Sequence, residues 1–248
     1  MKLRYQYQVQ YQEVDADRRL RLYTLENYLL NVGGRAADDG GYGIRDLLPY
    51  GLTWVIVRLS LEMLYIPTHD EQIEIETWIE SYTHLLSVRN YRIYLLSDHG
   101  ESQLIGQARS TWAVLDIQKR EIVNGMDYPM FANSIHGEPL TMTRAPRMRS
   151  IAQPDGRTDH TVVYSDIDYN GHVNSCKYLE WMLNAFQPKC LHFGIRLDIN
   201  YIREIHIPNI LTTLFQTTPQ GVQYQQIDNE GVSCCIANIS NLDHHVLT

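Results

Sequence analysis

The chain has 248 residues, 44% of them hydrophobic and 20% charged, enough apolar material for one large domain or two small ones and not the composition of a disordered chain. Its formal net charge of −8 argues against nucleic-acid binding, which needs a basic surface. No apolar run approaches the ~18 residues of a membrane span, and the start MKLRYQYQVQYQ looks like neither a signal nor a transit peptide, so a cytosolic chain complete at its N-terminus is expected.

Taken in chain order, the first element is a strand. Tyr5, Tyr7, Val9 and Tyr11 alternate with Gln6, Gln8, Gln10 and Gln12, the period of two that leaves one face wet. Residues 21–32 place Leu22, Leu25, Leu29 and Val32 on one helical face, and Gly33-Gly34 and Gly40-Gly41 predict a break or bend after it. Ile73, Ile75, Thr77 and Ile79 alternate with Glu74, Glu76, Trp78 and Glu80 as a second strand, and segments near 86–96 and 104–115 are strand-like. Residues 118–160 show little regular pattern, contain Pro129, Pro139, Pro146 and Pro154, and read as a long tether. A helix is predicted over 173–187, with Cys176, Leu179, Met182, Leu183 and Phe186 at three- and four-residue spacing and Pro188 as its stop. Segments near 195–206, 210–218, 222–227 and 232–239 are again strand-like, with Gly221 and Gly231 at turn-like breaks. The cysteines, Cys176, Cys190, Cys234 and Cys235, form no spaced framework and are expected to be reduced and mostly buried.

One unit is used twice. Tyr11-Gln-Glu-Val-Asp15 matches Tyr164-Ser-Asp-Ile-Asp168 at an offset of 153, and the same offset pairs Leu30-Asn31 with Leu183-Asn184. In each half a helix-like stretch follows the motif and β-rich segments follow the helix. After the first helix the best offset falls to 138, so the first half carries about fifteen extra residues. They predict either a lid or pocket wall or a longer loop.

The segment Tyr164 to Asn174 is the richest in chemistry. Asp168, Asn170 and His172 sit two apart, which in an extended stretch puts them on one side. They precede the predicted helix, whose first N–H groups, from Val173 and Asn174, are expected to be free to polarise a carbonyl. Asp, Asn, Gly and His before a helix are also ordinary turn and capping residues, and on the motif alone the two readings are balanced. The repeat shifts the balance. The first half has Asp15, Asp17 and Arg19 in the same register, so only the second copy holds Asp168, Asn170 and His172 together.

Asp166-Ile-Asp-Tyr-Asn-Gly-His-Val-Asn174, followed by Lys177-Tyr178-Leu179-Glu180-Trp181, closely resembles the D-x-D-x-N-x-H-V-N-N-x-K-Y-x-x-W pattern of the acyl-ACP thioesterases of plants and bacteria. The resemblance extends to Glu13-Val-Asp-Ala-Asp-Arg-Arg19, Trp54-Val-Ile-Val-Arg58 and Thr77-Trp78 in the first half. It implies an α+β fold of two tandem hotdog domains, each an antiparallel sheet wrapped around a long helix. The expected boundaries are 1–125 for a non-catalytic domain with the acyl-chain pocket, 126–158 for a linker, and 159–248 for the catalytic domain. The family's acid, on a strand in a Tyr-Arg-Arg-Glu-Cys sequence, corresponds to Glu204 in Tyr201-Ile-Arg-Glu-Ile205. Ile205 stands at the cysteine position, so a cysteine nucleophile there is excluded. At the offset of 138 the first half has Ile66 opposite Glu204.

The expected chemistry is hydrolysis of a fatty acyl thioester on acyl carrier protein. Glu204 would activate water, Asn170 and His172 would hold the water, the carbonyl or the Glu204 carboxylate, and Asp168 would orient Asn170 or the helix start. Direct attack by Glu204, giving an anhydride, stays open. Pocket candidates are Leu25, Leu29, Trp54, Ile56 and Leu59, each equally explained as core. Arg18, Arg19 and Arg21, or Arg144, Arg147 and Arg149, could face the acidic carrier, with a solvated surface as the alternative. No Cys/His spacing resembles a zinc site, His244-His245 lie in the tail, and no phosphate loop or G-x-S-x-G elbow occurs, so no cofactor or metal is expected. The alternatives are a hotdog acyl-CoA thioesterase, a hotdog dehydratase (whose H-F-P-G-type stretch is missing) and a non-catalytic acyl-binding protein. Hotdog sheets often join edge to edge, which would give a homodimer.

Overall fold

The computed structural model describes residues 2–97, 100–131, 134–142, 145, 148–188 and 194–242. They fall into two compact units: Met1–Leu59 with Ile66–Thr143, and Ser60–Tyr65 with Arg144–Thr248. Among the described residues no helix is long and apolar enough to cross a membrane.

Unit 1 contains β1 (Leu3–Gln8), α1 (Leu22–Asp39), the short α2 (Ile44–Leu47), β2 (Leu52–Met63, in this unit as far as Leu59), β3 (Gln72–Thr83), β4 (Leu86–Leu96), β5 (Ser102–Asp116) and β6 (Glu121–Val123). The strand order is β1-β3-β4-β5-β2, with β6 on β5. The β1–β3, β3–β4, β4–β5 and β5–β6 pairs are antiparallel. Helix α1 packs on this sheet through Leu22, Leu25, Leu29, Val32 and Ala36, all buried. Each recurs at three or four residues, so one stripe faces the core.

The expected break at Gly33-Gly34 does not occur; α1 runs through both glycines to Asp39. Gly33 is there for packing. A Cβ on it would lie 2.8 Å from the Tyr91 hydroxyl, whereas one on Gly34 would meet nothing within 4 Å. The helix ends at Gly40-Gly41, where Gly41 takes φ 74°, a left-handed conformation that suits glycine. The extra residues of the first half therefore go into a longer helix, 18 residues against 11 in the second half, and into α2.

Unit 2 contains β7 (Gly156–Thr161), α3 (Ser175–Ala185), β8 (Ile195–Tyr201), β9 (Ile210–Thr218), β10 (Gly221–Ile227) and β11 (Ser233–Asn241). The order is β8-β11-β10-β9-β7, antiparallel throughout. Helix α3 buries Tyr178, Leu179, Trp181 and Met182 and lies on β9 and β7. Its backbone is tied to β10: Tyr224 Oη donates to Phe186 O at 2.6 Å and Gln226 Nε2 to Tyr178 O at 2.9 Å. Both units are thus a helix laid across an antiparallel sheet, the hotdog arrangement expected.

Several elements differ from expectation. β1 stops at Gln8, and Tyr11 sits in a 3-10 turn, Tyr11–Glu13, with its side chain exposed. β2 breaks simple alternation because its last residues, Leu59–Met63, are all buried. Ser60 and Glu62 tolerate this because partners from β8 satisfy them. Ser60 Oγ meets Asp198 Oδ1 at 2.6 Å, and Arg196 bridges Glu62 at 2.5 Å and Asp198 at 2.8 Å. The stretch read as patternless holds β6, two 3-10 turns at Gly125–Asp127 and Pro129–Phe131, and the start of β7. Residues 138–142 pack against β3 of unit 1, where Trp78, Leu140 and Met142 form a small core and Trp78 Nε1 donates to Glu138 O at 2.7 Å.

Candidate active site

The site is built on one tight turn of unit 2. A 3-10 turn, Tyr164–Asp166, leads into an antiparallel bridge between Ile167 and Val173. Between the bridged residues the chain reverses. Asp168 N–H donates to His172 O at 2.9 Å and Gly171 N–H donates to Asp168 O at 3.0 Å. Asp168 Oδ1 accepts the Asn170 N–H at 2.8 Å, the usual way an aspartate mimics a backbone turn. Gly171 takes φ 83°, which an L side chain adopts only at a cost. Asn174 then caps α3 by accepting the Cys176 N–H at 3.0 Å.

The same turn exists in unit 1. Val14 bridges Leu20, Asp15 N–H donates to Arg19 O at 2.8 Å, and Arg18 N–H donates to Asp15 O at 3.1 Å. Asp15 Oδ1 accepts the Asp17 N–H at 2.9 Å, and Arg18, in the place of Gly171, has φ 62°. The helices that follow start at Leu22 and Ser175, again 153 residues apart. Asp168 therefore shapes the turn as Asp15 does in a copy that lacks the asparagine, the histidine and the glutamate. What distinguishes unit 2 is Asn170, His172 and Glu204, where unit 1 has Asp17, Arg19 and Ile66.

The structure brings three of the four predicted residues together. His172 Nδ1 lies 3.7 Å from Asp168 Oδ1, and His172 Nε2 lies 3.7 Å from Glu204 Oε1. Both distances exceed a hydrogen bond, so the ring stands beside each carboxylate without bonding to either. A neutral imidazole can donate to only one carboxylate at a time, an imidazolium to both. The three side chains are 19–26% exposed, so water reaches them. Asn170 shares the turn, but its side chain is exposed and, among the described residues, its amide makes no hydrogen bond.

Glu204 is not on a strand as expected. β8 ends at Tyr201, and Glu204 lies in the segment that leads away from it. That segment is fixed by its backbone. Ile205 O accepts the Val173 N–H at 2.8 Å, and the Ile205 backbone also hydrogen-bonds the Tyr178 hydroxyl, which burial pushes far above the usual phenol range. His206, which the sequence reading passed over, places Nδ1 3.0 Å from Gly171 O and its ring edge-on to His172 at 5.9 Å. Its spacing of two from Glu204 was the signal available.

The expected oxyanion donors are already used. Val173 N–H goes to Ile205 O, and Asn174 N–H goes to Asp166 O at 2.8 Å. Asp166, buried, is itself held by Val163 N–H at 2.9 Å and His160 Nε2 at 3.0 Å. Donors for a developing oxyanion must come from side chains or from other backbone groups.

The remaining candidates divide. Cys234 and Cys235 are buried free thiols, and burial pushes Cys234 up to about 12, far from a thiolate nucleophile at neutral pH. Cys176 is half-buried, and Cys190 lies outside the described residues. Leu25, Leu29 and Leu59 are fully buried core, while Trp54 and Ile56 are half-buried. Trp54 packs edge-on to Phe131 and donates to Tyr42 O at 3.0 Å. Arg18 is exposed and Arg21 donates to Gln12 O at 2.7 Å; Arg149 is exposed, while Arg144, Arg147, His244 and His245 lie outside the described residues.

Comparison with known proteins agrees with this layout. Residues 1–127 match the model of the acyl-ACP thioesterase N-terminal domain and residues 151–241 that of the C-terminal domain. A chloroplastic acyl-[acyl-carrier-protein] hydrolase of Cuphea viscosissima is 25% identical over 228 residues, covering 86% of this chain and 54% of its own length. A chloroplastic oleoyl-acyl carrier protein thioesterase of Coriandrum sativum is 23% identical, covering 84% of this chain and 60% of its own. The chain thus spans little more than half the length of these curated relatives. The crystal structure of an acyl-ACP thioesterase from Bacteroides thetaiotaomicron superposes with a TM-score of 0.82 at 28% identity, covering 96% of this chain and 97% of that one. A 12:0-ACP thioesterase from Umbellularia californica superposes with a TM-score of 0.82 at 18% identity over 96% of each chain, and so shares the fold. With both family models matched in order along most of its length, this chain belongs to the acyl-ACP thioesterase family.

Proposed function

We propose that the chain hydrolyses the thioester of a fatty acyl chain on acyl carrier protein, releasing a free fatty acid and the carrier thiol. The observation that carries this reading is His172, held 3.7 Å from both Asp168 and Glu204 on a water-accessible turn that the other half of the chain repeats without the chemistry.

In this mechanism Glu204 takes a proton from a water molecule, and the resulting hydroxide attacks the thioester carbon. The Asn170 amide donates to the carbonyl oxygen as charge builds on it. His172, between the two carboxylates, orients Glu204 toward the water. Asp168 sets the turn and the ring. When the tetrahedral intermediate collapses, the carbon–sulfur bond breaks and Glu204 returns its proton to the departing thiolate. No metal or covalent acyl-enzyme enters the scheme. The half spanning 1–125 supplies the acyl pocket and that spanning 159–248 the catalysis. Arg18, Arg19 and Arg21 face the acidic carrier, and the chain pairs as a homodimer.

The test is hydrolysis of acyl-carrier and acyl-CoA substrates of graded chain length. Carrier substrates should give a kcat/KM at least about tenfold higher at the preferred length, the range expected when a partner surface adds binding energy. Equal or faster turnover of acyl-CoA would favour the acyl-CoA thioesterase alternative. Tight binding with no turnover of either would favour a non-catalytic acyl-binding protein.

A further inference from the structure

We propose that His206 is a positioning residue for the reaction: its imidazole holds the turn that carries His172 against the segment that carries Glu204. The proposal rests on the hydrolase reading above. His206 is two residues beyond Glu204, and its Nδ1 lies 3.0 Å from Gly171 O. A backbone carbonyl only accepts, so Nδ1 carries the hydrogen and donates. Gly171 is the left-handed residue of the turn, and its carbonyl belongs to the peptide that leads directly into His172. Fixing that oxygen fixes the plane from which the His172 side chain projects. The His206 ring also stands edge-on to His172, centroids 5.9 Å apart and planes at 80°, within the range of favourable aromatic contacts.

Unit 1 shows that anchoring this carbonyl is part of the turn's design. There the left-handed residue is Arg18, and its carbonyl accepts a backbone N–H from His69 at 3.0 Å. The neighbouring backbone link is kept in both copies: Leu20 N–H donates to Pro67 O at 2.8 Å, as Val173 N–H donates to Ile205 O at 2.8 Å. At the offset of 138, Pro67 matches Ile205 and His69 matches Ile207. In unit 2 the backbone donor is replaced by a side chain from one residue earlier, His206. The copy that carries His172 and Glu204 thus anchors the same oxygen with an imidazole that also touches His172.

The substitutions His206→Phe, His206→Asn and His206→Ala separate the elements of this role. Phenylalanine keeps a ring beside His172 and removes the donor. Asparagine removes the ring and keeps an N–H where Nδ1 was. Each is assayed for steady-state hydrolysis of hexadecanoyl- and decanoyl-carrier protein, with thermal unfolding as a check on folding and with Glu204→Ala and His172→Ala as references. The expected result is a kcat lowered about tenfold or more in His206→Phe and His206→Ala, since misplacing a catalytic group by about 1 Å costs up to ~100-fold. KM should stay within about twofold, the mark of a loss confined to the transition state. His206→Asn should recover kcat to within about threefold of wild type. Wild-type kcat in His206→Phe, no recovery in His206→Asn, or a change in KM alone would each overturn the proposal. If Glu204→Ala or His172→Ala itself keeps wild-type activity, the assignment of catalysis to those residues fails instead, whatever His206 does; if the wild type turns over neither substrate, the hydrolase reading fails.

Discussion

Replacing Gly171 with alanine tests how far the chemistry depends on the turn. Gly171 has φ 83°, and no atom lies within 4 Å of an added Cβ, so the substitution meets no clash. The cost is conformational alone. Holding an alanine left-handed costs about 1–2 kcal/mol, offset by about 0.4–1 kcal/mol because alanine narrows the unfolded ensemble. The net loss is about 1 kcal/mol, or roughly 2–4 °C in the thermal midpoint of a chain this size. An alanine that relaxes toward negative φ shifts the Gly171–His172 peptide, and with it the imidazole. Hydrolysis should therefore fall by at least about tenfold, more than so small a loss of stability explains. Gly171→Asn should lose less of both, because asparagine tolerates the left-handed region. The assay is thermal unfolding by circular dichroism beside steady-state hydrolysis. A Gly171→Ala protein with the wild-type midpoint and turnover would refute the argument.

Further outcomes follow from the fold and the site. Gly33→Ala should destabilise by about 1–3 kcal/mol through overpacking because its Cβ would meet the Tyr91 hydroxyl at 2.8 Å, while Gly34→Ala, open on all sides, should stabilise by about 0.5–1 kcal/mol; denaturant midpoints decide both. Arg196→Ala leaves Glu62 and Asp198, each 1% exposed, without the guanidinium between them and should cost about 3–5 kcal/mol in urea unfolding. Asp168→Asn keeps an acceptor for the Asn170 N–H and should unfold within about 0.5 kcal/mol of wild type, whereas Asp168→Ala should lose about 1 kcal/mol. Cys234→Ala should keep more than about half of wild-type kcat, since a thiol pushed up to about 12 is no nucleophile at neutral pH, and a total loss of turnover in a folded protein would reopen a thiol mechanism.

The strands with a wet face were legible in the sequence because alternation survives wherever one side stays in water; Gln6 and Gln8 of β1 are exposed while Tyr5 is buried. β2 was not legible because its end is buried on both faces, with charges neutralised by residues more than a hundred positions away. Helix α1 was cut short in the sequence reading because paired glycines signal a break. Here one of them is required by the Tyr91 hydroxyl and the other is merely tolerated. At the site, the motif spacing and the repeat picked out Asp168 and His172, the resemblance to the acyl-ACP thioesterases supplied Glu204, and folding brings the three together. The fate of the Val173 and Asn174 N–H groups was invisible for a physical reason: their acceptors, Ile205 O and Asp166 O, are backbone atoms whose approach depends on tertiary structure. His206 escaped for the same reason, its partner being a carbonyl rather than a side chain.

Single-turnover hydrolysis of acyl-carrier protein by Glu204→Gln is the most direct measurement of whether this carboxylate is the base. Glutamine keeps the size of the side chain and removes its capacity to take a proton. The account predicts a rate lowered by about 100- to 10,000-fold, the usual contribution of a general base, with substrate affinity unchanged. A folded Glu204→Gln enzyme that turns over within about tenfold of wild type would contradict it.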